Sequence, residues 1–303
     1  MIEGRERRFT IRSRIYCCPL CKGPLTETTT CFRCAPCARD FAIVDSIPDF
    51  FICESESQAI GDRNAPFLSP EMAEVRDTTY RLCTRELKGM AFCMQEISRR
   101  TGPGRRVLEV GMGTGHFTCW LAEVSVPGTE ICAFDASWPM IEKAKVNAGG
   151  LPGVALFRAN ARGGLPFKNE AFDILFLRLA PLGPHGVPNA QAAFELLKPG
   201  GWYFDAVWER EQFETPPTEW AIQHGYGYAE HHVWRYFRLQ SEEERLAGQR
   251  TLDLMAEGDG SAAKVEETQT ERRVGDEGFL KMTVENLLIA QKPLQSEIGL
   301  EQI

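Results

Sequence analysis

The apolar positions of this chain change period along its length. A helical pattern opens at Ser69, with serine as N-cap, Pro70 in the first position and Glu71 in the first turn. It runs towards Arg99 and Arg100 and stops at Thr101-Gly102-Pro103-Gly104. Short apolar runs then alternate with helical stretches: strand Arg106–Val110, helix Phe117–Glu123, strand Glu130–Phe134, a helix opened by Ser137-Trp138-Pro139, strands Val154–Arg158 and Phe172–Arg178, helix Asn189–Leu197 and strand Trp202–Val207. Such alternation predicts an α/β fold around a parallel sheet. Ser241-Glu242-Glu243-Glu244 reads as a capping box that opens a further helix. Residues 54–68 are polar and contain Gly and Pro, as a linker should.

Composition adds boundaries. With 303 residues, 43% hydrophobic and 25% charged, the chain falls outside disordered, collagen-like and coiled-coil classes. No apolar run approaches the ~18 residues that span a membrane, and the N-terminal stretch has no apolar signal core. A cytoplasmic protein is expected. Net charge is −8, unevenly spread: residues 1–40 hold eight basic and four acidic side chains, so they are +4 and the rest is −12. An anionic partner would meet the N-terminal end first, and phosphate binding elsewhere is disfavoured.

Six of eleven cysteines fall between 17 and 37. Clustered cysteines without a secretion signal favour a metal over disulfides. Cys18 and Cys21 form one Cys-x2-Cys knuckle; Cys31/Cys34 and Cys34/Cys37 both offer a second. We choose Cys34/Cys37, which leaves twelve residues between knuckles and a turn into Phe41-Ala42-Ile43-Val44. Four thiolates at tetrahedral corners suit zinc. The segment CPLCKGPL…CAPCARDFAIVDSIPDFF resembles short zinc ribbons found alone or with methyltransferases, with Ser46 where those have glycine. That resemblance implies a structural site with every corner filled.

The strand–turn–helix at Val110 carries Gly111-Met112-Gly113-Thr114-Gly115-His116, a G-x-G-x-G spacing with Glu109 two residues before the first glycine. Asp135 ends the second strand, where an acid can accept both ribose hydroxyls. Together VLEVGMGTG, AFDASWPMIEKA, LPFKNEAFDILF and ELLKPGGWYF resemble, in order and over about 100 residues, the class I S-adenosylmethionine-dependent methyltransferases. The resemblance implies a Rossmann-like seven-stranded sheet. Glu109, Gly111, Gly113 and Gly115 would cradle the methionine part of S-adenosylmethionine and Asp135 would hold its ribose. Ala136 and Met140 would line the adenine, and Asn160 and Ala161 would meet its edge. Apart from the resemblance, Arg178, directly after the fourth strand, has two readings: it stands between cofactor and acceptor, or it forms a salt bridge to a lid acid such as Glu209 or Glu211. The family's last antiparallel strands would be Lys264–Arg273 and Phe279–Ala290.

The expected organisation is a zinc-ribbon domain over 1–53, a linker and N-terminal helix over 54–104, and a methyltransferase domain over 105–303. Residues 202–237 are dense in aromatics and hold His224, His231 and His232. They leave the fifth strand at the carboxyl edge, so a substrate lid is expected over about 208–240, with these histidines as candidate bases and the alternative of a local core. The expected acceptor is a small apolar or aromatic molecule. The alternative is RNA, because the layout also resembles the rRNA guanine-N1 methyltransferases, although the histidine ligand and Gly-Tyr-x-Asn-Leu tail of their zinc module are absent. A third reading, a scaffold with an inactive core, is opposed by the intact glycine turn and Asp135.

Overall fold

The computed structural model describes residues 15–52, 62–161, 163–178, 190–208, 215–259, 271–274 and 278–294. The basic arm, most of the linker, the segment 209–214 with Glu209 and Glu211, and most of the expected strand Lys264–Arg273 lie outside them.

The first unit is a four-stranded antiparallel ribbon: β1 (Thr26–Glu27), β2 (Cys31–Cys34), β3 (Arg39–Val44) and β4 (Ile47–Pro48). Lys22 and Ala38, each just after the last cysteine of a knuckle, have φ of 58° and 50°. Asp45 and Ser46, with φ of 48° and 68°, turn β3 into β4. Positive φ at both central residues is the type I′ geometry, which accounts for the glycine common at the Ser46 position.

Two helices follow, α1 (Pro70–Cys83) and α2 (Lys88–Ser98). Ser69 caps α1 by accepting from the Met72 N–H at 3.1 Å. The single helix expected over 69–100 is broken at Thr84–Glu86 and at the extended, buried Leu87. A tertiary contact explains the break. α2 has no side-chain cap of its own; Glu285, far along the chain, accepts from the Gly89 and Met90 N–H groups at 3.0 and 2.9 Å. Gly89 permits this approach, since a Cβ there would stand 2.7 Å from Trp234.

The central sheet comprises β5 (Arg106–Val110), β6 (Glu130–Asp135), β7 (Val154–Arg158), β8 (Phe172–Arg178), β9 (Leu197–Trp208), β10 (Tyr228–Gln240) and, after the short β11 (Glu271–Val274), β12 (Gly278–Gln291). Its order is β10-β12-β9-β8-β5-β6-β7, with β11 paired to β12. β5 to β9 are parallel; β12 runs antiparallel to β9 and β10. This is the seven-stranded mixed sheet expected. The helices α3 (His116–Val124), α4 (Trp138–Asn147), α5 (Ala190–Leu196), α6 (Pro217–Gln223) and α7 (Glu242–Asp259) complete it. At α7, Ser241 Oγ accepts from the Glu244 N–H at 3.1 Å, but the Glu244 carboxylate pairs with Arg238 instead of returning to Ser241.

Of the expected strand Lys264–Arg273, residues 264–270 lie outside the described ones and Glu271–Arg273 fall in the short β11; the strand at the sheet edge beside β12 is a different one. It is β10, drawn from the segment expected to be a lid. From residue 215 that segment is helix α6 followed by a thirteen-residue edge strand. The misreading has a plain cause: β10 carries aromatics on both faces, so its two-residue alternation is hidden.

One face of the sheet is packed by α1 to α3 through Tyr80, Met90, Phe117 and Trp120. The other carries Trp220, Ala221 and Leu196 and also the ribbon. Parallel crossovers usually lay a helix on the sheet. Between β7 and β8 the described residues of 159–171 form none, and the ribbon occupies that face. Tyr16, buried, lies 5.4 Å from the Phe32 ring, 5.1 Å from Phe50 and 5.6 Å from Phe167. Backbone bonds join Cys17 N to Pro166 O and Lys168 N to Ile15 O, both 3.0 Å. Ribbon and sheet share one apolar core.

Candidate functional site

The glycine turn sits where β5 ends and α3 begins. Gly111, Gly113 and Gly115 have φ of 74°, 54° and 86°, a backbone that side chains resist. The Gly111 and Met112 N–H groups donate to Phe134 O at 3.0 and 2.9 Å, tying the turn to β6. Asp135 then reaches back: its carboxylate accepts from Gly113 N and from Ser137 N, each at 3.0 Å. Burial pushes its pKa up, against backbone donors that pull it down. Ala159 N donates to Asp135 O at 3.1 Å, so buried Asn160 and Ala161 start beside the acid. Ala136 is half-exposed, with its carbonyl accepting from Arg158 Nε at 2.8 Å. Met140 sits in a separate cluster with Met72, Ala73 and Leu254.

Glu109 is 3% exposed. Burial pushes its carboxyl up to about 7, opposed by the Thr118 hydroxyl and by the Arg178 charge. Among the described residues, its buried Oε2 has no hydrogen-bond partner, and neither has the buried Thr114 Oγ1. Unsatisfied buried polar atoms are costly. A ligand amino group at this point would satisfy the carboxylate, so the residues fit the methionine end of S-adenosylmethionine.

Arg178 ends β8, the strand beside β5. Its guanidinium lies 4.4 Å from the Tyr80 ring and 4.4 Å from Phe117. Burial lowers its pKa to about 10, while Cys83 and Glu109 raise it. Tyr80, from α1, leans over the glycine turn: a Cβ on Gly113 would stand 3.9 Å from its ring. Arg76 stacks on Tyr80 as well, at 4.4 Å. Asp77 Oδ1 is 2.9 Å from His116 Nε2 and 2.8 Å from Asn147 Nδ2, which pins α1 to α3 and α4. Helix α1 therefore roofs the turn. Nothing in the sequence marks Tyr80 and Asp77, because their side chains meet the turn only through tertiary packing.

The three histidines are not brought to this place. His231 and His232 lie mid-strand on β10, four strand spacings from β5, or roughly 19 Å at 4.8 Å per strand. His231 Nε2 meets Asn286 Oδ1 at 3.2 Å; the His232 ring packs 5.0 Å from Phe92 and 5.7 Å from Trp234. His224 closes α6, with Nδ1 2.7 Å from Trp220 O and its ring 4.5 Å from Trp220. It precedes Gly227, which bonds to Gln291 opposite the start of β9, at the amino edge of the sheet. The glycine turn is at the carboxyl edge. Reading the segment as a lid misplaced all three.

In the ribbon, the Sγ atoms of Cys18, Cys21, Cys34 and Cys37 lie within 4.8 Å of one another. Cys18 to Cys37 is 3.9 Å and Cys21 to Cys34 is 3.6 Å. Thiolates about 2.3 Å from a tetrahedral ion stand about 3.8 Å apart, so the four fit a zinc ion. Cys31 points elsewhere, with its Sγ 3.3 Å from Thr28 Oγ1.

Residues 107–201 match the methyltransferase domain family. That stretch, about a third of the chain, is similar to a methyltransferase domain. The chain is similar to malonyl-[acyl-carrier protein] O-methyltransferase of Methylococcus capsulatus, 26% identical over 148 residues, covering 48% of this chain and 52% of that protein. It is also similar to demethylmenaquinone methyltransferase of Geobacillus kaustophilus, 32% identical over 115 residues, covering 35% and 47%. The chain thus spans about half the length of the curated relatives it matches. Among solved structures, phosphoethanolamine N-methyltransferase 2 of Haemonchus contortus with S-adenosylhomocysteine aligns at 16% identity and TM-score 0.42, over 68% of this chain and 53% of that one. The methyltransferase match does not include the ribbon.

Proposed function

We propose that this chain is an S-adenosylmethionine-dependent methyltransferase of a small apolar or aromatic acceptor, with a structural zinc in its ribbon. The observation that carries the reading is the turn at Gly111–Gly115 linked to the Asp135 carboxylate, with unsatisfied Glu109 behind it. When bound, S-adenosylmethionine supplies a methyl group activated by its sulfonium. The protein's own task is alignment and exclusion of water. Gly111, Gly113 and Gly115 bring backbone close to the ligand. Glu109 meets its amino group, Asp135 its ribose, and Ala136, Asn160 and Ala161 its adenine. Tyr80 and Phe117 wall the reacting side with Arg178 between them. An acceptor with an aromatic ring or a carbonyl suits that wall, and the relative named for demethylmenaquinone supports a small aromatic acceptor. Cys18, Cys21, Cys34 and Cys37 hold the zinc with no open corner.

Asp135→Ala tests the cofactor assignment. Charged hydrogen bonds are worth about 1.5–3 kcal/mol each, so calorimetry with S-adenosylhomocysteine should show at least tenfold weaker binding. Labelled methyl transfer to phenols, quinols and carboxylic acids, run beside stripped ribosomal RNA, tests the acceptor. Site-specific labelling of RNA alone would replace the small-molecule reading.

A further inference from the structure

The ribbon does more than cover the sheet: it holds the loop that follows β7, on which Asn160 and Ala161 stand. Asp49 of the ribbon tail pairs in parallel with Arg158, and Phe50 N donates to Arg158 O at 2.8 Å, so the tail adds itself to the sheet edge. Asp49 Oδ2 is 3.3 Å from Arg158 Nη1. Arg158, 5% exposed, passes this contact on: its guanidinium lies 4.2 Å from the Phe51 ring and 5.2 Å from Trp138, and its Nε holds the Ala136 carbonyl. Beyond Asn160, Lys22 Nζ donates to Leu165 O at 2.7 Å. Lys22 is the residue immediately after Cys21, in the left-handed turn of the first knuckle. Gly163 and Gly164 touch the ribbon too: a Cβ on either would stand 2.9 Å from Ile52 O or 2.6 Å from Pro19 O. The loop is therefore gripped at both ends by segments of the ribbon that carries the four thiols.

We infer that metal occupancy of the ribbon sets cofactor affinity, with Lys22, Asp49 and Arg158 acting as positioning residues for the adenine side. The inference rests on the cofactor reading given above. It predicts reciprocal linkage: if zinc strengthens cofactor binding by a given factor, cofactor strengthens zinc binding by the same factor.

The test is calorimetric titration of the full chain with S-adenosylhomocysteine in three forms: zinc-loaded, metal-free after EDTA with a thiol reductant, and a zinc-loaded Lys22→Ala, Asp49→Ala double variant. The metal-free chain should bind at least tenfold more weakly and the double variant at least threefold, and saturating S-adenosylhomocysteine should tighten zinc binding in a chelator competition. Equal affinities in zinc-loaded and metal-free chains that both keep their helical circular dichroism would overturn the inference. If the metal-free chain loses that signal, the double variant decides alone, and unchanged affinity there overturns it. Absence of binding to zinc-loaded wild type would instead refute the methyltransferase reading on which the inference stands.

Discussion

Glu109 gives the sharpest test of the site's electrostatics. Burial raises its carboxyl from an ordinary 4.5 to about 7. A carboxyl whose folded pKa exceeds its unfolded one keeps its proton longer in the folded chain. The stability it contributes is complete below the unfolded value and is lost as pH rises through about 7. For these two values the full contribution is on the order of 3 kcal/mol, of which about 1 kcal/mol disappears between about pH 6 and about pH 8. Asp205, buried beside Tyr203 and raised to about 7 by the same desolvation, adds a loss of like sign and size. Together these two carboxyls should cost the zinc-loaded, cofactor-free wild type about 3 kcal/mol over that window, and Glu109→Gln, which cannot ionise, should lose about 1 kcal/mol less. Urea unfolding at both pH values reads the difference: with a slope of about 3 kcal/mol/M, the variant's midpoint should move about 0.3 M less. Equal losses in the two proteins would mean that Glu109 is already ionised in the folded chain, and the argument from burial would fail.

Two further outcomes follow from the geometry. Cys34→Ser should abolish stoichiometric zinc, whereas Cys31→Ser should retain one zinc per chain by elemental analysis, because only the first thiol belongs to the group of four. Gly115→Ala should cost about 2–4 kcal/mol in urea unfolding, combining a left-handed backbone with a Cβ 3.0 Å from Ala144 Cα. Gly113→Ala, whose nearest neighbour is 3.9 Å away, should cost about 1 kcal/mol.

The parts of the fold governed by local pattern were readable. The strands Arg106–Val110, Val154–Arg158 and Phe172–Arg178 lie where their apolar runs predict. Val110, Gly111 and Asp135 meet because a parallel sheet aligns successive carboxyl ends. The thiol group was equally readable, since ligand spacing is a property of sequence. What escaped depends on partners distant in the chain. The break between α1 and α2 is decided by Glu285, almost two hundred residues away. β10 takes its place from β12, and its histidines follow it to the sheet edge. Arg158 reads as the last residue of a strand, and only the docked ribbon makes it a junction.

The ribbon's position has a consequence for how the chain assembles. It is made before the sheet, yet its aromatic side, including Tyr16, Phe32 and Phe50, is covered by Phe157 and Phe167. The Lys22–Leu165 bond spans 143 positions. Closing contacts of that length is slow, and surfaces awaiting it stay open to misassembly. During synthesis the ribbon must keep a sticky flank until residues beyond 167 emerge. Early capture of metal would give that waiting piece its shape, so folding yield should fall when zinc is scarce during expression, even if zinc is supplied afterwards.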